Sequence, residues 1–230
     1  MVFSTQANDL LQSLPSPVRA QWILESKTLH LQAGDQICAA SDACMYFPLT
    51  AVLAWTSGLS DGSSSMLALV GHESMVQLQP YREISQELIV VHPGKVLQLR
   101  ERAIRKDEQA HLHAQQLCTQ SLHALIAQAS QNLICSQNHR LSQRLSRLLK
   151  GIVDRMDSNT IHLTHQQLAC LLGTRRERVS YALSALQEQG AIRCARGCLQ
   201  ITDSAALRRQ LCECCGNVDL PSTHHKTLPT

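Results

Sequence analysis

Aromatic residues are scarce in this chain: two Trp, three Tyr and two Phe among 230 residues. Its core must therefore rest mainly on Leu, Ile, Val and Ala. Long apolar runs are missing too, and no stretch approaches the roughly 20 residues that a membrane-spanning helix needs. No charged-then-apolar segment opens the chain as a secretory signal would. The expected location is the cytoplasm, with no membrane partner. In that reducing setting the ten cysteines are expected as thiols and not as a disulfide framework. Also absent are the G-x-x-x-x-G-K-[ST] loop, the G-x-S-x-G elbow and the H-E-x-x-H pair. Nothing in the sequence points to an enzyme.

What is present is unevenly charged. The net charge is +3, but residues 1–138 hold 8 Lys and Arg against 11 Asp and Glu, and residues 139–230 hold 13 against 7. The two parts carry −3 and +6, and the length allows two domains of ordinary size. The basic part has the charge that a phosphate-binding module requires.

Within that basic part, Thr164 to Gly190 reads T-H-Q-Q-L-A-C-L-L-G-T-R-R-E-R-V-S-Y-A-L-S-A-L-Q-E-Q-G. Thr164 with Gln167, and Thr174 with Glu177, have the spacing of capping boxes, so each pair predicts a helix start. Gly173 stands where the first helix must end in a left-handed residue. Ala169 is small at the expected helix crossing and Val179 is its expected partner, while Leu168, Leu172, Leu183 and Leu186 supply a shared apolar seam. The result is a helix-turn-helix. Arg175, Arg176, Glu177, Ser180 and Tyr181 occupy the first two turns of the second helix and are spare from its core. Those positions meet base edges when a recognition helix enters the major groove. Thr164, His165, Gln166 and Arg178 are expected to seat the module on the DNA backbone. Ala191–Ile201 alternates around Arg196-Gly197 and predicts a hairpin wing, from which Arg193 and Arg196 would reach phosphates.

Upstream, Asn8–Glu25 predicts short helices interrupted by Pro15 and Pro17. Lys27 to about Leu99 is a series of short strands separated by turn signals, which argues for an antiparallel sandwich or barrel. From Glu101 to Met156 turn residues almost vanish. A long helix broken near Ser136–His139 is expected, followed by a second helix. Leu112, Leu117, Leu122, Leu125, Ile126, Ala129 and Leu133 recur along the long helix at helical intervals and are expected to form a homodimer seam. The overall expectation is an α+β chain. Its parts are an N-terminal antiparallel β-roll (1–107), a long dimerisation helix (108–137), a C-terminal winged helix-turn-helix (138–215) and a flexible tail (216–230).

This order resembles that of the Crp/Fnr family of bacterial transcription regulators over nearly the whole chain. The likeness is carried by N-H-R-L-S-Q-R-L-S-R-L-L at Asn138–Leu149, by L-T-H-Q-Q-L-A-C-L-L-G-T-R-R-E-R-V at Leu163–Val179 and by A-L-Q-E-Q-G-A-I-R at Ala185–Arg193. It is extended by C-E-C at Cys212–Cys214, by Y-F-P at Tyr46–Pro48 and by L-V-G-H-E-S-M-V at Leu69–Val76, as in a poorly characterised branch of that family. The resemblance implies a sequence-specific regulator that binds double-stranded DNA as a homodimer, with RNA polymerase as a further partner. It places the family's Arg-Glu recognition pair on Arg176 and Glu177. The arginine that many members carry one turn later is Tyr181 here, so a different target sequence is expected.

The resemblance also implies a cyclic-nucleotide-binding-like domain, but the site departs from the pattern. The segment Gly71-His72-Glu73-Ser74 lacks the following Arg-Ser or Arg-Thr that holds a cyclic phosphate, and Arg82 lies past Pro80. It reads as a degenerate effector pocket, with no cyclic nucleotide expected. Cys38 and Cys44 are too few for an N-terminal iron–sulfur cluster. His111, His113 and His123 read as solvent or interface residues, so no haem is expected. Cys212, Cys214 and Cys215, with Cys194, Cys198, His224 and His225, lack the usual zinc-ligand spacing, and no metal is expected. The reading from another class is a ligand- or redox-sensing module that acts through protein partners without DNA.

Overall fold

A computed structural model describes residues 8–39, 42–58, 64–79, 85–104 and 108–216. The Asp61-Gly62 turn, Arg82 and the tail beyond Gly216 lie outside them. Two short helices, α1 (Asp9–Gln12) and α2 (Ser16–Glu25), flank the Pro15 turn as the sequence predicts. The strands are β1 (Lys27–Leu31), β2 (Gln36–Cys38), β3 (Cys44–Pro48), β4 (Val52–Gly58), β5 (Ser64–Val70), β6 (Val76–Leu78), β7 (Ser85–His92) and β8 (Gly94–Arg100). They form two four-stranded sheets, ordered β1-β8-β3-β6 and β2-β7-β4-β5. Every pairing is antiparallel. This is the expected roll.

Between the sheets lie Tyr46, Leu53, Leu88, Val90 and Val96. A second cluster joins Trp22 and Phe47 to Leu97, Leu99 and the start of the long helix. As expected from the composition, aliphatic side chains fill most of this volume.

In the sheet β2-β7-β4-β5, the first half of β4, the second half of β7 and the end of β5 are buried on both faces. Leu53, Val70, Leu88 and Val90 point into the roll, whereas Val52, Ala54, Leu69, Ile89 and Val91 belong to the core of the C-terminal domain. This explains why A-V-L-A and L-I-V-V run apolar without a polar alternate. A strand covered on one side would show that alternation.

After the short helix α3 (Glu101–Ile104), α4 (Glu108–Asn138) runs for 31 residues. It crosses the exposed edge of β5, the last strand of its sheet. The Gln128 amide donates to the Leu69 carbonyl and accepts from the Leu69 N–H, both at 3.1 Å. Asn132 Nδ2 donates to the Leu67 carbonyl at 2.9 Å. These side chains supply the partners that a missing neighbouring strand would have given, which closes the edge to other chains.

The remaining elements are α5 (Leu141–Val153), β9 (Thr160–Ile161), α6 (His165–Leu172), α7 (Arg176–Glu188), β10 (Ile192–Ala195), β11 (Cys198–Ile201), α8 (Ser204–Arg209) and a terminal 3-10 turn (Glu213–Gly216). Leu145, Leu148, Leu149 and Ile152 are one buried stripe of α5, facing α7 and the roll.

Candidate nucleic-acid interface

Local chemistry builds the helix pair. Thr164 caps α6: its Oγ1 accepts from the Gln167 N–H at 3.2 Å, and Gln167 Oε1 accepts in return from the Thr164 N–H at 2.8 Å. Gly173 ends α6 in the left-handed region at φ +58°. The Gly173 N–H then bonds the Cys170 carbonyl and the Thr174 N–H bonds the Ala169 carbonyl, at 3.2 and 3.0 Å. That pair of bonds is a Schellman closure.

The second expected capping box does not form. Arg175, not Thr174, is the N-cap of α7, and it makes no side-chain cap bond. The reason is that the Thr174 amide is still committed to closing α6, so the chain turns one residue later. Packing follows expectation: Leu168, Ala169, Leu172, Val179, Leu183 and Leu186 are all buried in one cluster.

The opposite face of α7 is open. Arg175, Arg176, Glu177 and Arg178 are exposed, and Tyr181 is 82% exposed. Residues 176, 177, 180 and 181 are neighbours at i, i+3 and i+4 and present one surface. Ser180 is less free than expected. Its hydroxyl donates to the Arg176 carbonyl at 3.1 Å and lies 2.8 Å from His165 Nδ1. His165 and Ser180 thus lock the start of α6 to α7, while Gln166 stays exposed at the same end. Arg144 of α5 donates to the Leu172 carbonyl and so supports the turn from behind. Burial, foremost, and the nearby Arg178 lower the Arg144 pKa, with Cys135 acting against them.

The wing is the predicted hairpin. β10 and β11 pair antiparallel, with Ala195 opposite Cys198 across Arg196-Gly197 and Gly197 at φ +69°. Arg193 and Arg196 are exposed. Cys194 is partly buried, and burial pushes its thiol pKa up.

The structure divides the expected seam of α4 into two faces. Leu117 and Leu125 are corrected to intrachain core residues, packed against the N-terminal helices and the roll respectively. Leu112, Leu122, Ile126 and Leu133 are exposed, the last two at 59% and 60%, and Ala129 is half-buried. Both sets recur at helical spacing, so periodicity alone merged them.

At Gly71–Ser74, the segment read as a degenerate effector pocket, the chain's own side chains make the contacts. Glu73 Oε1 accepts from Arg155 Nε at 2.7 Å, with side chains only 11% and 6% exposed. His72 lies 3.3 Å from Asp9. Ser74 is buried against the Ser121 hydroxyl at 2.9 Å, and its carbonyl accepts from the Asn8 amide at 2.7 Å. A cavity of about 450 Å3 adjoins the Glu73–Arg155 pair between β5, α4 and α5, and Arg155 lines it together with Gln128, Arg144, Arg147 and Lys150.

The C-terminal cysteines likewise find partners that sequence spacing missed. Cys194 and Cys198 sit on the wing strands. Cys212 and Cys214 instead meet Cys135 and His139 at the end of α4. Burial works against the Cys135 thiolate, but the Gln131 hydrogen bond and the Arg147 charge bring its pKa below the ordinary value. His224 and His225 lie outside the described residues. A C-x-x-x-H spacing at a helix end, which sets the two residues one turn apart, was the available signal.

Residues 139–210 match the Crp-like helix-turn-helix domain family. None of the curated protein sequences matches the chain. Among solved structures it is similar to TTHB099, a transcriptional regulator of the CRP family from Thermus thermophilus, at 20% identity and a TM-score of 0.62, covering 80% of this chain and 95% of that one. It is similar to FixK2 from Bradyrhizobium japonicum at 14% identity and a TM-score of 0.63, covering 81% and 98%. It is also similar to the c-di-GMP-responsive global regulator CLP of Xanthomonas campestris at 12% identity and a TM-score of 0.64, covering 82% and 100%.

Proposed function

The chain is of the Crp/Fnr type in its fold, and its residues 139–210 form a Crp-like helix-turn-helix domain; from this premise we propose that it is a transcription regulator that reads a specific DNA sequence as a homodimer. The observation that carries the reading is the asymmetry of α7. One side is fully engaged in the domain core, and the other exposes Arg175, Arg176, Glu177 and Tyr181 at the helix start. A major groove admits one helix, and the N-terminal turns of that helix reach the base edges. In this reading Arg176 bonds guanine O6 and N7, and Glu177 accepts from a cytosine amine. Tyr181 contacts a thymine methyl or a phosphate. Arg193 and Arg196 hold the flanking backbone from the wing.

The exposed stripe on α4 supports the dimer. Leu112, Ile126 and Leu133 lie at multiples of seven residues, and Leu122 and Ala129 are seven apart three or four positions away. That is a two-helix seam. Two copies would present two α7 helices to half-sites about 10 base pairs apart.

The test is a selection of full-length protein against a random duplex library, followed by titrations at several salt concentrations. A near-palindromic motif should be enriched, and affinity should fall steeply as salt rises. No enriched motif together with salt-independent binding would instead favour a module that works through protein partners.

A further inference from the structure

Away from the DNA-facing surface, four ligand-type side chains converge where α4 ends. Cys135 stands on its last turn, and His139, the residue just past its end, still donates its backbone N–H to the Cys135 carbonyl at 3.1 Å, which places it one turn from Cys135. The chain returns after α8 to bring Cys212 and Cys214 against them. Cys135 Sγ lies 3.8 Å from Cys212 Sγ, and His139 Nε2 lies 3.2 Å from Cys214 Sγ. All four ligand atoms fall within 4.8 Å of one another, and Cys135 and Cys212 are buried.

We propose that Cys135, His139, Cys212 and Cys214 bind one zinc ion, which fastens the end of α4 to the end of the winged domain. A tetrahedral ion with Zn–S bonds of about 2.3 Å holds its sulfurs about 3.8 Å apart. The Cys135–Cys212 separation already equals that edge. The remaining pairs need only small side-chain adjustments. Three thiolates and an imidazole suit a borderline-soft ion, whereas calcium and magnesium take oxygen ligands. An iron–sulfur cluster would spread its thiolates around a multi-atom core, wider than these side chains stand.

The surroundings fit the charge. Three thiolates, a neutral imidazole and Zn2+ leave a net charge of −1. Arg147 Nη1 lies 3.1 Å from Cys135 Sγ and Gln131 Nε2 lies 3.6 Å from it, so a cation and an amide face the thiolate. Such outer donors orient and steady a metal ligand. With four protein ligands and no open position the site is structural. It joins residues 77 apart in sequence, and α5, both helices of the helix-turn-helix and the wing all lie between them. The ion therefore closes the winged domain into a loop anchored on α4. Under the DNA-reading proposal, that would hold the direction of α7 relative to the dimer helix.

The test uses the full-length chain, purified under reducing conditions without chelator. Elemental analysis should find about one zinc per chain. Anaerobic exchange with Co2+ should give the intense ligand-field bands of tetrahedral thiolate cobalt. Cys214→Ser and His139→Ala should each lower bound zinc at least about tenfold at limiting metal, whereas Cys194→Ser and Cys198→Ser should leave it unchanged. The wild-type cobalt spectrum needs no variant, so it decides even if a substitution prevents folding. Reduced, folded protein with neither stoichiometric zinc nor a tetrahedral cobalt spectrum overturns the site. So does undiminished zinc in the Cys135→Ser/Cys214→Ser double variant, or iron in place of zinc. A Cys135–Cys212 disulfide whose reduction restores no metal uptake does so too. None of these readouts depends on DNA binding.

Discussion

The buried ion pair between Glu73 and Arg155 makes a quantitative claim about how the two halves of the chain hold together. Glu73 follows β5 in the roll and Arg155 follows α5 in the C-terminal domain. Their 2.7 Å contact leaves side chains 11% and 6% exposed. Replacing Glu73 by Ala strands a guanidinium in a site that water scarcely reaches. Losing one partner of a buried pair costs about 3–5 kcal/mol. Arg155 Nη1 keeps its bond to the Gly151 carbonyl at 2.7 Å, so the cost belongs near the lower end, about 3 kcal/mol. For a chain of this size that lowers the melting temperature by about 6–12 °C. The paired replacement Glu73→Leu with Arg155→Met removes both charges and should stay within about 1 kcal/mol of the parent. Urea titration and thermal melting followed by circular dichroism read both effects. They should change little with salt, because screening does not reach a buried contact. A Glu73→Ala loss below about 1 kcal/mol, or one that vanishes at high salt, would refute the reasoning and place the pair at an open surface.

Three further outcomes are expected. Arg176→Ala should weaken binding to the selected DNA site by about 1–3 kcal/mol and relax preference at one base pair; unchanged specificity in a footprint would remove Arg176 from the groove. Ile126→Glu should shift the chain to a monomer in analytical ultracentrifugation without loss of helical signal, whereas Leu125→Ala should destabilise the fold by about 2–5 kcal/mol; a dimer that survives Ile126→Glu places the seam elsewhere. His92 has its pKa lowered by burial first and by neighbouring His162 second. Its neutral form is favoured in the fold, so stability is complete above the ordinary histidine value and declines as pH falls below about 6.5. His92→Gln should flatten that acid-side decline in a series of melting curves, and an unaltered slope would acquit His92.

Much of the proposed DNA-reading surface was legible in the chain because it is coded locally. A cap, a left-handed glycine and an apolar seam within Thr164–Gly190 specify two helices and leave one set of side chains spare. The Arg196-Gly197 turn specifies the wing in the same way. Local signals failed where two elements competed for one residue. Thr174 has the spacing of a cap, but the Schellman bonds that end α6 claim its amide.

The sequence by itself determined the order and kind of the main parts (roll, long helix, helix-turn-helix and wing), because capping, turn chemistry and hydrophobic period act over a few residues. Tertiary structure alone decided which of two apolar stripes on α4 the chain keeps for itself. Both have the same period, and only the position of the roll distinguishes them. It also decided that β4 and β7 are covered on both faces, that Glu73 meets Arg155 at the segment read as a degenerate effector pocket, and that Cys135 and His139 meet Cys212 and Cys214. Each of these contacts joins residues more than 70 positions apart, or surfaces that no local pattern pairs. Their partners are set by how the layers pack and not by spacing along the chain.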